Sequence, residues 1–215
     1  MVVATPSGIT LAGEGGAHQS IAEPLIGMAQ DGLAAFEPAY VDELAVIMRW
    51  AFAYMQKSGG EAESSLVAGP DAKPDSTSAG RAPGRNWLRD ETGGSVYLRL
   101  STRPIEQIQR KMTSDLAQQV VDGAYWLRKP GPNAQVVVAY TGAIAPEAIE
   151  AVGLMAEDRR DVGLLAVTSA DRLNAGWTAA QRARERGLVH ARSHIERLLA
   201  DVPPHCGIVS VLDGH

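Results

Sequence analysis

The chain has 215 residues, of which 45% are hydrophobic, and a formal net charge of −5. That is enough apolar material for one large domain or two modest ones, and it excludes a disordered chain. Acids and bases are interspersed, so nothing attracts nucleic acid or an anionic membrane over long range. No apolar run approaches the roughly 20 residues of a membrane helix, and "MVVATPSG" lacks the basic start of a secretory signal. The single cysteine, Cys206, cannot form an internal disulfide and fits a cytoplasmic protein.

Six short apolar runs predict strands: 1–4, 33–36, 96–100, 135–140, 162–168 and 206–212. Several lack polar alternation, as expected of strands buried on both faces of a parallel sheet. Helical spacing is clearest at 38–57, where Val41, Leu44, Ile47, Met48, Ala51, Phe52 and Met55 predict a broad, largely buried apolar face. Further helices are predicted over 114–129, 145–160, 169–187 and 193–202; Pro146 and Glu147 suit a first turn. Strands alternating with helices give an α/β fold, a mostly parallel sheet flanked by helices.

Two stretches break the alternation. Residues 58–94 are loaded with Gly, Pro, Ser and charge and are expected to form a mobile insertion. "RKPGPNA" (128–134) reads as a linker between a first α/β unit, 1–127, and a second, 135–215. The chain opens on one strand and stops just after another, the pattern expected of a fragment of a longer protein.

A glycine-rich turn, "LAGEGGAHQSIAE" (11–23), follows the first predicted strand. His18 takes the place of the third glycine of G-x-G-x-x-G, so the turn is no dinucleotide fingerprint. "GEGGAH" (13–18) resembles the Gly-Glu-Gly-x-x-His motif of the homodimeric pyruvate dehydrogenase component, a thiamine diphosphate-dependent decarboxylase of the transketolase-like superfamily. "FEPAYVDELAVIM" (36–48), "SVYLRLSTRPIEQ" (95–107), "VAYTGAIAPEAIEA" (138–151) and "LLAVTSADRLNAGW" (164–177) are similar to later segments of that family, in the same order.

The resemblance implies a partial pyrimidine-binding domain followed by the start of a carboxy-terminal domain. It implies thiamine diphosphate and Mg2+ as cofactors, although the Gly-Asp-Gly motif that holds the diphosphate and metal is absent from this sequence. It implies a 2-oxo acid substrate, pyruvate or a near homologue such as 2-oxobutyrate, a lipoyl-bearing acyltransferase as partner, and a homodimer. By the same resemblance His18 faces cofactor and substrate as acid–base catalyst, Glu14 orients or charge-balances it, and Gly13, Gly15 and Gly16 let the backbone approach the cofactor. An imidazole suits such work because its ordinary pKa of ~6.5 lies near neutrality.

Arg103, in "STRP", sits where transketolase relatives hold a substrate phosphate. Here it is left to a substrate carboxylate or to a structural salt bridge. Glu37 and Tyr40 flank Pro38 and are accounted for by capping and packing. His190 and His194 stand four apart, but Gly187 and Ser193 suggest a helix break, so no metal site is assigned. Cys206 reads as a small core residue. Asp213, Gly214 and His215 end the chain at a strand's carboxyl edge and are not assigned catalysis. Two other readings stay open: a transketolase-type transferase, against which Ser20 replaces the proline of that family's His-Gln-Pro, and a non-catalytic dimerisation fragment with half the cofactor site missing.

Overall fold

The computed structural model describes residues 33–56, 94–158 and 161–214. The expected strand at 1–4, the glycine-rich turn with Gly13, Glu14, Gly15, Gly16 and His18, and most of the 58–94 insertion lie outside the described residues.

Two sheets carry the fold. Strands β1 (Leu33–Phe36) and β2 (Ser95–Leu98) pair in parallel, Leu33 opposite Ser95 and Phe36 opposite Leu98. The second sheet has four strands in the order β3-β5-β4-β6. Its members are β3 (Ala124–Arg128), β4 (Val136–Thr141), β5 (Gly163–Val167) and β6 (Gly207–Val211). Strand β4 runs parallel to both neighbours, and β3 is antiparallel to β5. The chain is therefore α/β with mostly parallel sheets flanked by helices.

Helix α1 (Val41–Met55) connects β1 towards β2. Its buried stripe is Glu43, Ile47, Ala51 and Tyr54, spaced at helical intervals. Val41, Phe52 and Met55, expected on the core side, are exposed. The stripe is rotated because Glu43 is drawn inward: its carboxylate accepts the N–H groups of Ala39 (2.8 Å) and Tyr40 (3.1 Å), which the helix start would otherwise leave unpaired. Trp50 then packs edge-on to Phe36 and stacks on Tyr54.

The helix expected over 114–129 ends early. Helix α2 spans Ser114–Asp122, and Gly123 closes it at φ 111°, a left-handed conformation that favours glycine. A Cβ on Gly123 would also lie 2.6 Å from the Ser169 carbonyl oxygen. The chain then reverses into β3, whose Tyr125 and Trp126 suit a strand. Strand β3 belongs to the four-stranded sheet, so residues 128–134, read above as an interdomain linker, connect two strands of one sheet. Asp161 pins this turn by accepting the N–H of Gly131 on its backbone (2.9 Å) and that of Asn133 on its side chain (3.1 Å).

Helix α3 (Ala145–Asp158) packs Ala145, Ala148 and Val152 onto the sheet face that carries Val138, Tyr140 and Leu164. Helices α4 (Ala170–Glu185) and α5 (His194–Leu198) place Leu173, Ile195 and Leu198 on the opposite face, against Val137 and Leu165. Strand β5 is buried on both faces as expected, whereas β6, the outer strand, exposes Ile208 and Val209. Cys206 is half-buried against the second cluster.

The two sheets meet at the start of α4. The Ser169 hydroxyl donates to the carbonyl of Ala35, and the Asp171 carboxylate accepts the N–H of Ala35 at 3.2 Å. Glu37 N–H donates to the Thr168 carbonyl at 2.8 Å. Side chains thus satisfy the edge of β1 that β2 does not cover.

Candidate functional site

In an open parallel sheet, ligands bind beyond the carboxyl ends of the strands, where successive crossovers leave in opposite directions. Here the connection from β4 runs through α3 to β5, and that from β5 crosses back to β6 on the other side of β4. The crevice of the four-stranded sheet therefore lies between the ends of β4 and β6, at Gly142 and Asp213.

That crevice is filled from the two-stranded sheet. Arg99, just after β2, donates through Nη1 to Glu37, just after β1. Its Nη2 donates to the Asp213 carbonyl (2.5 Å) and carboxylate (3.2 Å). Arg99 and Asp213 are buried, and Arg99 Nε has no partner among the described residues. Gly142, at φ 61°, lets Glu37 in: a Cβ there would stand 2.5 Å from Glu37 Cγ. Burial raises the Glu37 pKa to about 6; Arg99 opposes the shift and Asp213 adds to it. A carboxyl of that strength can give or take a proton near neutrality, though buried ion pairs perturb pKa values in the same way. With its partner held on both sides, Arg99 reads as a tie between the sheets.

Arg103 lies at the rim of this edge. Both its terminal nitrogens bond Glu147, in the first turn of α3, with Nη1 to Oε2 at 2.9 Å, and Nη1 also donates to the Ala143 carbonyl at 3.2 Å. The bond to Arg103 lowers the Glu147 pKa. Of the two roles left open for Arg103, the structure displays the salt bridge. A substrate carboxylate would have to displace Glu147.

A second polar cluster closes the same edge. Arg110 grips Asp42 with Nε (2.6 Å) and Nη2 (2.8 Å), reaches Glu43 Oε1 at 3.2 Å and donates to the Tyr125 hydroxyl at 2.6 Å. Tyr125 in turn donates to Glu43. The guanidinium lies over the rings of Tyr40 and Tyr125. Burial, then the Glu43 charge, pushes the Tyr125 pKa well up, and burial does the same for Tyr140. Both hydroxyls stay protonated; Tyr125 donates to Glu43, whereas the buried Tyr140 hydroxyl has no partner among the described residues. The sequence reading assigned Tyr40 to packing, which is where the structure puts it, but it missed Arg110, whose partners lie up to 68 residues away.

His194 Nε2 bonds the Ala124 carbonyl at 2.6 Å, while His190 is exposed in the connection between α4 and α5. No three His, Cys, Asp or Glu side chains among the described residues could hold a metal ion. Nor is any described helix long and apolar enough to cross a membrane.

No protein-family model matches the chain, and no curated protein matches it in sequence. Solved structures do match. Transketolase from Leishmania mexicana aligns over 94% of this chain with a TM-score of 0.57 at 16% identity. A single-residue variant of transketolase from Pichia stipitis aligns over 97% with a TM-score of 0.58, also at 16% identity. Another Pichia stipitis variant, in complex with fructose-6-phosphate, aligns over 92% with a TM-score of 0.54. The fold is transketolase-like. The chain spans about a fifth of the length of those transketolases, 21%, 22% and 21% respectively. Within this transketolase-like fold, the tie of Glu37, Arg99 and Asp213 joins the two sheets at their shared carboxyl edge.

Proposed function

We propose that this chain is part of a thiamine diphosphate-dependent enzyme that decarboxylates a 2-oxo acid, pyruvate or a near homologue such as 2-oxobutyrate, and passes the acyl unit to a lipoyl group on an acyltransferase. The observation that carries this reading is the conjunction of a transketolase-like fold with "GEGGAH" and four further family-like segments in order along the chain. Thiamine diphosphate, when bound, would supply the nucleophilic and electron-accepting chemistry that decarboxylation of a 2-oxo acid needs. His18 then moves protons at the carbonyl oxygen, Glu14 orients it, and Gly13, Gly15 and Gly16 admit the cofactor. The described residues offer no carboxylate cluster for a metal ion, and the crevice of the four-stranded sheet is filled. Because the Gly-Asp-Gly motif is missing from the sequence, the resemblance assigns the diphosphate and Mg2+ to polypeptide outside this chain, in a homodimer whose partner subunit completes the site.

The transferase alternative rests on the same fold likeness, and its neighbours include a complex with fructose-6-phosphate. Assaying the complete enzyme on pyruvate, 2-oxobutyrate and fructose 6-phosphate separates the two. Carbon dioxide release from the oxo acids supports the proposal; turnover of the sugar phosphate alone replaces it with the transferase. In the active enzyme His18→Ala is expected to slow turnover by ~10²–10⁴-fold. Calorimetric titration of this chain with thiamine diphosphate and Mg2+ tests the assignment of the diphosphate elsewhere: micromolar binding by the chain alone would overturn it.

A further inference from the structure

Two exposed surfaces on opposite faces of the four-stranded sheet complement each other. The first is the turn after α4. Gly187, at φ 94°, donates its N–H to the Arg184 carbonyl (3.0 Å), and Leu188 donates to the Ala183 carbonyl (3.0 Å). A helix end of this type usually folds its next apolar residue back onto the helix. Here Leu188 and Val189 instead remain 61% and 68% exposed. The turn is nonetheless fixed: Ala191 N–H bonds the Leu188 carbonyl (2.9 Å), and Arg184 Nη1 bonds the Ala191 carbonyl (2.7 Å). Residues 182–197 carry five arginines against two glutamates in a chain of net charge −5. Arg184 is paired with Glu196, at 3.0 Å, while Arg182, Arg186 and Arg192 meet no carboxylate among the described residues.

The second surface is the outer side of α3. Glu150, Leu154, Glu157 and Asp158 share one side of the helix. Leu154 is 62% exposed, and Ile149, also exposed, lies five residues earlier, about 140° around the helix. At Gly153 an added Cβ would meet nothing within 4 Å, which leaves a shallow bare step between the two apolar side chains. Glu150 and Glu157 meet no cation among the described residues. Arg159 and Arg160, next along the chain after Asp158, lie outside the described residues.

We propose that these surfaces bind each other between copies of this chain. Leu188 and Val189 of one copy seat on Leu154 and Ile149 of the next, over Gly153, with Arg186 and Arg192 facing Glu150 and Glu157. A molecule that is acidic overall and basic in one place carries its own complement. Because the two surfaces lie on opposite faces, the contact is heterologous and repeats head to tail. It differs from the two-fold dimer of the functional reading and does not depend on it.

Sedimentation velocity over a concentration series tests this, at roughly 50 mM and 500 mM salt, where screening differs severalfold in range. The expected result is association that strengthens with concentration and weakens with salt. Arg186→Glu with Arg192→Glu places acid against acid, and Glu150→Arg with Glu157→Arg places base against base; each variant alone is expected to weaken association at least tenfold. An equimolar mixture of the two restores it, because every junction is complementary again. A salt-insensitive two-fold dimer would ignore all four substitutions. The proposal is overturned if the wild-type chain does not associate, if either variant behaves as wild type, or if the mixture fails to recover. It is also overturned if the chain stays monomeric while the arginine turn binds anionic vesicles or an oligonucleotide.

Discussion

Gly142→Ala is the sharpest probe of how the two sheets are held together. The substitution has two separable costs. At φ 61° an alanine is held in the left-handed region, which costs about 1–2 kcal/mol. Its Cβ would also stand 2.5 Å from Glu37 Cγ and 2.6 Å from Glu37 Oε1, so Glu37 must move. Glu37 cannot move without loosening its bond to buried Arg99. Uncoupling a buried charge costs about 3–5 kcal/mol when the partner is lost outright, and Asp213 retains part of that pairing. The total expected is about 3–4 kcal/mol. In a Glu37→Ala background the obstruction is gone and only the conformational cost remains, so the second substitution adds about 1–2 kcal/mol there. Urea unfolding of the four proteins, with a common slope, gives the coupling energy directly. Additivity within about 0.5 kcal/mol would refute the claim that Gly142 exists to admit Glu37.

Two further expectations concern charge. Burial raises the Asp171 pKa from 3.8 to about 6, so between these values the folded state holds a proton that the unfolded state has released. Its contribution to stability is present below pH ~4 and lost as pH rises through about 6. Relative to Asp171→Asn, the wild-type protein should therefore lose about 2–3 kcal/mol across that window, measured by urea midpoints at successive pH values; a gain with rising pH would contradict the burial argument. Arg103→Ala should change stability by less than about 1 kcal/mol, because the pair with Glu147 is largely solvated. In the active enzyme it leaves KM for a 2-oxo acid unchanged if Arg103 is only a brace and raises it if Arg103 holds the substrate carboxylate.

The strands were legible in sequence wherever apolar runs were short and bounded, as at Leu33–Phe36 and Val136–Thr141. Strand β3 was not, because Leu116, Val120, Val121, Tyr125 and Leu127 continue a helical rhythm straight across Gly123. The stop was carried by that glycine alone. The exposure of β6 was also illegible: a valine-rich strand reads the same whether or not a neighbour covers it. At the candidate site, Arg99 and Asp213 are 114 residues apart, and no local pattern records such a meeting. Arg99 stands as a lone charge within an apolar run, and Asp213 reads only as a residue at the end of the chain. Glu43 went unread as well: its return to the N–H groups of Ala39 and Tyr40 emerges only from the structure.

The stitch at β1 has a consequence for how this architecture tolerates change. A backbone ladder is indifferent to which side chains decorate it, so most strands can drift in sequence and keep their pairing. The junction made by Ser169 and Asp171 with Ala35 depends instead on two particular side chains. It is the place where neutral drift becomes costly, and where acidity of the medium reaches the joint between the two halves.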